Sequence, residues 1–303
     1  MNHEIILFYK YTRIEDPEVL KNTQRELCEK LGLKGRVIIA REGINATIGG
    51  LASQLDEYVL SLKTDPRFSD VEVKRSKGAP DAFPRLQVKV RPEIVTAKLG
   101  EDDVDPAKQT GMRLQPESLH EWIREGKRFK IIDMRNEYEF KSGHFKDSVF
   151  SGMKHFRDLS KAVSNLTHLK DETVVTVCTG GVRCEKASGY LLKKGFKDVY
   201  QLDGGIVTYM EKFKNNDFLG KLYVFDSRLT MAYLPDEKRV MVGKCDKCTT
   251  SSENYINCYY PTCHAHFICC ESCIIQNDVY CGLKCRILHW CENFSKLNIF
   301  SKL

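Results

Sequence analysis

The chain has 303 residues, too many for one ordinary domain, so two or three folded units are expected. A composition of 42% hydrophobic and 29% charged residues excludes global disorder, and no apolar run approaches the roughly 18–20 residues that a membrane span requires. The formal net charge of +6 is compatible with a polyanionic partner without identifying one.

The first ten residues, Met1 to Lys10, are too short an apolar stretch for a secretion signal and carry no cleavage site, so a first strand and a cytoplasmic protein are expected. Ile5–Tyr11 reads as that strand. Asp16–Leu31 follows as a helix, with Val19, Leu20, Leu27 and Leu31 at helical spacing and Gly32 and Gly35 closing it. Arg36–Arg41 and Ile44–Ile48 form a hairpin about Glu42-Gly43, a second helix covers Ser53–Leu62, and strands fall at Val71–Lys74 and Leu86–Val90. The order βαββαβ, with room for one extra strand, predicts a ferredoxin-like (acylphosphatase-like) α+β domain over residues 1–100. Acidic Glu101-Asp102-Asp103 before Pro106 reads as a linker.

From Leu114 the texture changes. Ser118–Glu125 and Cys184–Lys194 read as helices, and Phe129–Asp133, Val174–Val177 and Val199–Leu202 as strands, the last ending at Asp203-Gly204-Gly205. Strands alternating with helices predict an α/β unit over residues 112–212, a parallel sheet with helices on both faces. A connector (213–243) leads to a cysteine-rich tail (244–303).

Cys178 stands at the carboxyl end of the most apolar strand, where open α/β sheets place their ligand sites. The residues after it, Thr179, Gly180, Gly181, Val182 and Arg183, allow a tight curl with the backbone N–H groups turned inward, followed at once by a helix. Such a collar, with Arg183 as a fixed positive charge at the rim, lowers a thiol pKa and favours the reactive thiolate. Four residues separate Cys178 from Arg183. Cysteine phosphatases use a longer loop, so a persulfide or another compact group suits this one better. The reading needs a thiolate at neutral pH and a sulfur that substrate can reach.

Asp133-Met134-Arg135-Asn136, Gly143-His144-Phe145, the loop from Cys178, and Asp203-Gly204-Gly205-Ile206 resemble the rhodanese domain in order and spacing. The proline usual after Gly143-His144 in that domain is missing, since Asp147 to Ser151 reads Asp-Ser-Val-Phe-Ser. Joined to Arg41-Glu42-Gly43-Ile44-Asn45-Ala46-Thr47, to Gly220-Lys221-Leu222-Tyr223-Val224-Phe225-Asp226 and to the cysteine-rich tail, the whole resembles the bacterial tRNA uridine hydroxylase family TrhO. The resemblance implies formation of 5-hydroxyuridine at the wobble position of tRNA, with O2 as co-substrate and Cys178 as the essential residue. No flavin or nicotinamide fingerprint is present. Addition of the thiolate to C6 of uracil would make C5 reactive toward oxygen; an oxidised Cys178 delivering the atom is the other route. Two rivals remain open: a sulfurtransferase carrying a Cys178 persulfide, and a non-catalytic zinc- or RNA-binding adaptor. Cys184 is either a resolving thiol for oxidised Cys178 or a packing residue. Asp133 and Arg135 read as structural support, with Arg135 bracing the loop; His144 reads as a satisfied core histidine.

Ten of the thirteen cysteines lie between Cys245 and Cys291. Cys245/Cys248, Cys258/Cys263, Cys270/Cys273 and Cys281/Cys285 are short-spaced pairs that suit tetrahedral zinc. Interleaved pairing, first with third and second with fourth, predicts two structural zinc ions; Cys269, Cys291, His264, His266 and His289 are spare ligands. For a tRNA partner, Lys74, Arg75, Lys77, Arg85, Lys89 and Arg91 are the expected phosphate contacts, with Arg36 and Arg41 able to join them. The alternative is a solvated charged face. No membrane contact is expected, and the oligomeric state is not readable.

Overall fold

Along β1 (His3–Tyr11), Ile6 and Phe8 enter the first core while Leu7, Tyr9 and Tyr11 point to the opposite face, as the two-residue period requires. The computed structural model describes residues 2–214, 216–263, 265–276 and 279–300, with the backbone alone for 294–300. After β1, Asp16 caps α1 (Pro17–Lys30) by accepting from the N–H groups of Glu18 and Val19 at 3.0 and 3.1 Å, a contribution of about 1 kcal/mol. The hairpin β2 (Lys34–Ala40) and β3 (Gly43–Leu51), α2 (Ala52–Lys63), β4 (Lys74–Lys77) and β5 (Leu86–Val90) complete the unit. The sheet order is β4-β1-β3-β2-β5, with β5, the extra strand, running parallel to β2 at one edge. Both helices pack on the face bearing Ile6, Val37, Ile39 and Ile48. Strand β4 begins three residues later than Val71, because Val71 is a buried core residue that closes a turn onto Phe68 instead of pairing in the ladder.

The segment read as a linker is a strap. Gly100–Asp102 is a short 3-10 turn, Asp102 pairs with Lys194 at 2.6 Å, and Asp103 pairs with Lys186 at 3.1 Å, so opposite charges tie it to the next domain.

The second unit runs β6 (Met112–Leu114), α3 (Pro116–Arg124), β7 (Lys130–Asp133), α4 (Glu137–Ser142), β8 (Gly143–Phe145), β9 (Val149–Phe150), α5 (Leu159–Asn165), β10 (Thr173–Val177), α6 (Val182–Lys193), β11 (Asp198–Leu202) and α7 (Gly205–Phe213). Its five-stranded sheet, β6-β11-β10-β7-β9, is parallel throughout. Val174 enters the core on one face and Val175 and Val177 the core on the other, so the central strand β10 is covered on both sides. The connector returns as Phe218–Gly220 to pair with β8, and Arg228 reaches back to donate to Lys77 O at 2.8 Å. The tail has its own small core, built largely from Cys245, Cys258, Phe267, Cys269 and Cys273 around a hairpin of Tyr255–Asn257 with His266–Ile268. Among the described residues no helix is long and apolar enough to cross a membrane.

Candidate active site

Strand β10 delivers Cys178 to the amino end of α6. Gly181 adopts φ +102°, a region that disfavours side chains, and its N–H donates to Cys178 Sγ at 3.2 Å. Burial alone raises the Cys178 pKa. Hydrogen bonding from the Cys184 thiol, the Arg183 charge and the backbone N–H groups of Cys184 and Arg183 outweigh it and bring it down to about 6. Cys184 is driven the other way, by burial and by its proximity to the Cys178 charge, so it stays a thiol and serves as a donor to its neighbour.

The Asp-Gly-Gly-Ile stretch acts on the same loop. The N–H of Ile206 donates to Cys178 O at 2.9 Å and that of Val207 to Thr179 O at 3.0 Å. A Cβ on Gly205 would lie 2.7 Å from both Gly181 N and Thr179 O, so only glycine lets the start of α7 press this closely.

Arg183 is less free than a rim charge. It is buried, and its two terminal nitrogens donate to Glu139 at 2.6 and 2.8 Å. The Glu139 carboxylate also accepts from Thr179 Oγ1 at 3.3 Å and from Asn136 N at 3.1 Å. Burial would raise the Glu139 pKa, but the Arg183 charge and these hydrogen bonds hold it below the usual carboxylate range. Glu139 is the residue that reading the sequence missed. Its signal was the spacing Asn136-x2-Glu139, of which the structure forms one half of a capping box, Asn136 N–H donating to Glu139, at the start of a helix too short to show a hydrophobic period. Asp133 and Arg135 form a fully buried pair, 2.6 Å at the closest. Arg135 donates onward to Gly143 O at 2.6 Å, so it braces the start of β8 and not the Cys178 loop: two-residue spacing turns the guanidinium back onto its own strand's carboxylate. His144 stacks on Phe140 and its Nδ1 lies 3.0 Å from Phe140 O, a satisfied histidine.

The sulfur is sealed. Cys178 is 0% exposed, which departs from the requirement that substrate reach it. The outer face of the N-terminal sheet packs on the loop that follows Cys178. A Cβ on Gly180 would lie 2.6 Å from Leu7 Cδ2, and one on Gly181 would lie 2.9 Å from Tyr9 Oη. Tyr9 donates to Glu185 at 3.1 Å and Tyr11 to Val182 O at 3.2 Å. Beside them the fully buried Lys186 ammonium meets Glu42 at 2.8 Å, Glu93 at 3.3 Å and Asp103 at 3.1 Å.

The basic run proposed for RNA is not one patch. Strands β4 and β5 are opposite edges of the sheet, four strand spacings or about 19 Å apart. Lys74, Arg75 and Lys77 therefore separate from Arg85, Lys89 and Arg91. Arg75 points to the helical face and pairs with Glu4 at 3.0 Å and Asp56 at 2.6 Å. Lys74 turns to the inner face beneath Tyr9, where burial lowers its pKa. Arg36 and Arg91 come together instead, on the face toward the Cys178 loop.

In the tail, Cys245, Cys248, Cys270 and Cys273 converge, as do Cys258, Cys263, Cys281 and Cys285, each set with its sulfurs within 4.8 Å of one another. This is the interleaved pairing expected. A tetrahedral zinc with bonds of about 2.3 Å spaces its sulfurs by about 3.8 Å, and the contacts Cys248–Cys270 and Cys263–Cys281, both 3.5 Å, fit that and are far too long for disulfides. The spare candidates are used otherwise: His266 stacks on Tyr255, His289 Nδ1 lies 3.0 Å from Tyr280 Oη, and Cys269 and Cys291 fall outside both quartets. His264 lies outside the described residues.

Comparison with known proteins matches each unit. Residues 3–94 match the UPF0176 acylphosphatase like domain, 115–212 the rhodanese-like domain and 219–286 the rhodanase C-terminal domain. The tRNA uridine(34) hydroxylase of Onion yellows phytoplasma (strain OY-M) is 43% identical over 270 residues, 88% of this chain and 87% of its own length. That of Cytophaga hutchinsonii is 39% identical over 288 residues, 94% of this chain and 90% of its own. The chain belongs to the tRNA uridine(34) hydroxylase family. In this chain the rhodanese scaffold supplies the cysteine loop, the N-terminal unit lies against that loop, and the two cysteine quartets gather in the tail.

Proposed function

We propose that this protein hydroxylates C5 of uridine 34 in tRNA, with O2 as co-substrate and Cys178 as the nucleophile. The observation that carries the proposal is the collar about Cys178, in which the Gly181 N–H donates to the sulfur at 3.2 Å and the Arg183 charge stands in the same loop, an arrangement that favours the thiolate. Such a sulfur adds to C6 of the uracil ring, the electron density that reaches C5 forms a bond to oxygen, and loss of the C5 proton then expels the Cys178 sulfur from C6 and restores the ring double bond. One oxygen atom stays on C5 and the other leaves as water, so each turnover consumes two electrons and two protons beyond O2. A dithiol reductant supplies them in balance, ending as a disulfide. The reaction requires the Leu7–Tyr9 cover to leave the loop when RNA binds. Both cysteine quartets would hold structural zinc, since four thiolates leave no open coordination position. A tRNA substrate and thirteen free cysteines suit a reducing, cytoplasmic setting.

Nucleoside mass spectrometry of tRNA incubated with the enzyme, O2 and a dithiol tests this. The expected product carries one added oxygen on uridine 34, and it disappears with Cys178→Ser. The compact loop also suits a persulfide carrier, and replacement of an oxygen by sulfur in the product would establish that chemistry instead. Trapping with 5-fluorouridine-substituted RNA reads the covalent step: an active enzyme that forms no Cys178 adduct rules out addition at C6.

A further inference from the structure

Between the N-terminal sheet and the rhodanese unit runs a groove of about 480 Å³, the size of a small-ligand site. Its floor includes Thr179, Gly180 and Arg183 of the Cys178 loop. Three further guanidinium groups stand on its walls: Arg36 from β2, Arg91 just after β5, and Arg157 from the turn before α5. All three are exposed, and none has an acidic or backbone partner for its side chain among the described residues. Elsewhere Arg75, Arg113, Arg228 and Arg239 are each paired with carboxylates. The groove has one carboxylate, Glu93, and its oxygens are already taken by Lys186 at 3.3 Å and by the N–H groups of Ala97 and Lys98 at 3.3 and 3.2 Å. Like charges collected without counter-ions describe an anion site. An aromatic ring completes it. Phe225, 37% exposed, lies on the groove with its centre 6.0 Å from Arg183 Cζ and in a T-shaped pair with Tyr223, ring centres 5.5 Å apart.

Resting on the function proposed above, we infer that this groove is the single-strand RNA site, in which Arg36, Arg91 and Arg157 take successive phosphates and Phe225 stacks a base beside the Cys178 loop. Cationic walls with an exposed ring are how proteins hold unpaired nucleotides, because every base presents a face for stacking while the charges follow the backbone. Leu7 occupies the space over Gly180 in the free protein, and an unstacked uridine displaces it to reach the sulfur. The loop residues thus meet the base, and the sheet and the Arg157 turn meet the phosphates on either side.

The test is fluorescence anisotropy of a labelled anticodon stem-loop RNA with the full-length protein across a salt series. Arg36→Gln, Arg91→Gln and Arg157→Gln should each weaken binding and reduce the slope of log K against log salt by about 0.7, the share of one single-strand phosphate. The corresponding lysine variants should restore the slope. Phe225→Ala should weaken binding about 5- to 100-fold with the slope unchanged, the mark of lost stacking. Arg124→Gln, on α3 away from the groove, should bind as wild type. Melting curves matching wild type show that the variants fold. Wild-type enzyme that makes 5-hydroxyuridine while the triple arginine variant binds and modifies RNA equally well overturns the groove and leaves the function standing. Loss of RNA binding in the arginine variants, with no hydroxylation by wild type, supports the groove and overturns the function.

Discussion

Replacing Glu139 by Gln separates two roles of one carboxylate. In the native site its two oxygens accept four hydrogen bonds, two from Arg183 at 2.6 and 2.8 Å and one each from Asn136 N and Thr179 Oγ1. Glutamine keeps the shape but replaces one acceptor with a donor, so an N–H faces another N–H, and Arg183 keeps a buried charge without a counter-ion. Breaking a fully buried pair from one side costs about 3–5 kcal/mol. At about 2–4 °C per kcal/mol, melting should fall by about 10 °C. The thiolate should respond in the opposite sense. Arg183 and Glu139 together carry no net charge, so removing the carboxylate leaves a whole positive charge acting on Cys178, and its pKa should drop below about 6. The assay is the ultraviolet absorbance of the thiolate against pH, with the Cys178→Ser curve subtracted to remove the other cysteines. Unchanged melting would mean that the pair is hydrated. A rise in the Cys178 pKa would mean that Arg183 leaves the loop once unpaired, which refutes the view of Glu139 as a neutralising partner.

Three further outcomes follow from the same geometry. Because the Cys178 pKa is depressed, falling pH protonates the nucleophile: kcat/KM should be level from pH 8 to about 6 and then drop tenfold per unit, and a midpoint near 9 would refute the collar argument. Leu7→Ala should open the cover over Gly180 and speed alkylation of Cys178 by iodoacetamide at least several-fold, followed by peptide mass spectrometry; an unchanged rate would place the barrier elsewhere. The purified protein should hold two zinc ions per chain, Cys258→Ser should reduce the content toward one, and chelation should unfold the tail while Cys178 keeps its low pKa; a metal-free, stable tail would show that the quartets need no ion.

The parts of this molecule that were legible in the sequence share one property: their cause is local. The buried strand Val174–Val177, the hairpin about Glu42-Gly43 and the pairing of the cysteines follow from periodicity, turn chemistry and ligand spacing. The basic run does not form one patch because proximity along the chain does not survive a crossover: Lys74 and Lys89 belong to strands that three others separate. Glu139 failed for a different reason, since a six-residue helix is too short for its amphipathic pattern to register. The burial of Cys178 was not legible at all. Nothing in its own loop announces that Leu7 and Tyr9, some 170 residues away in sequence, will lie over it.

That cover bears on the chemistry. A thiolate held at neutral pH beside oxygen is prone to oxidation up to irreversible acids, and exposure together with thiolate character sets the rate. Burying the sulfur, with Leu7 and Tyr9 packed on its loop, removes exposure while leaving the charge in place. The seal is backed by ionic contacts whose strength depends on the same interface: Lys186 is buried among Glu42 and Glu93 of the N-terminal region and Asp103 of the strap, so parting the units uncovers a four-membered charge cluster. Water then solvates each of these groups, which offsets much of the lost attraction, because buried ion clusters owe little net stability to their pairing. If RNA enters the arginine-lined groove as proposed, it therefore has only the apolar Leu7 contact and a few hydrogen bonds to displace before the cover can leave the Cys178 loop.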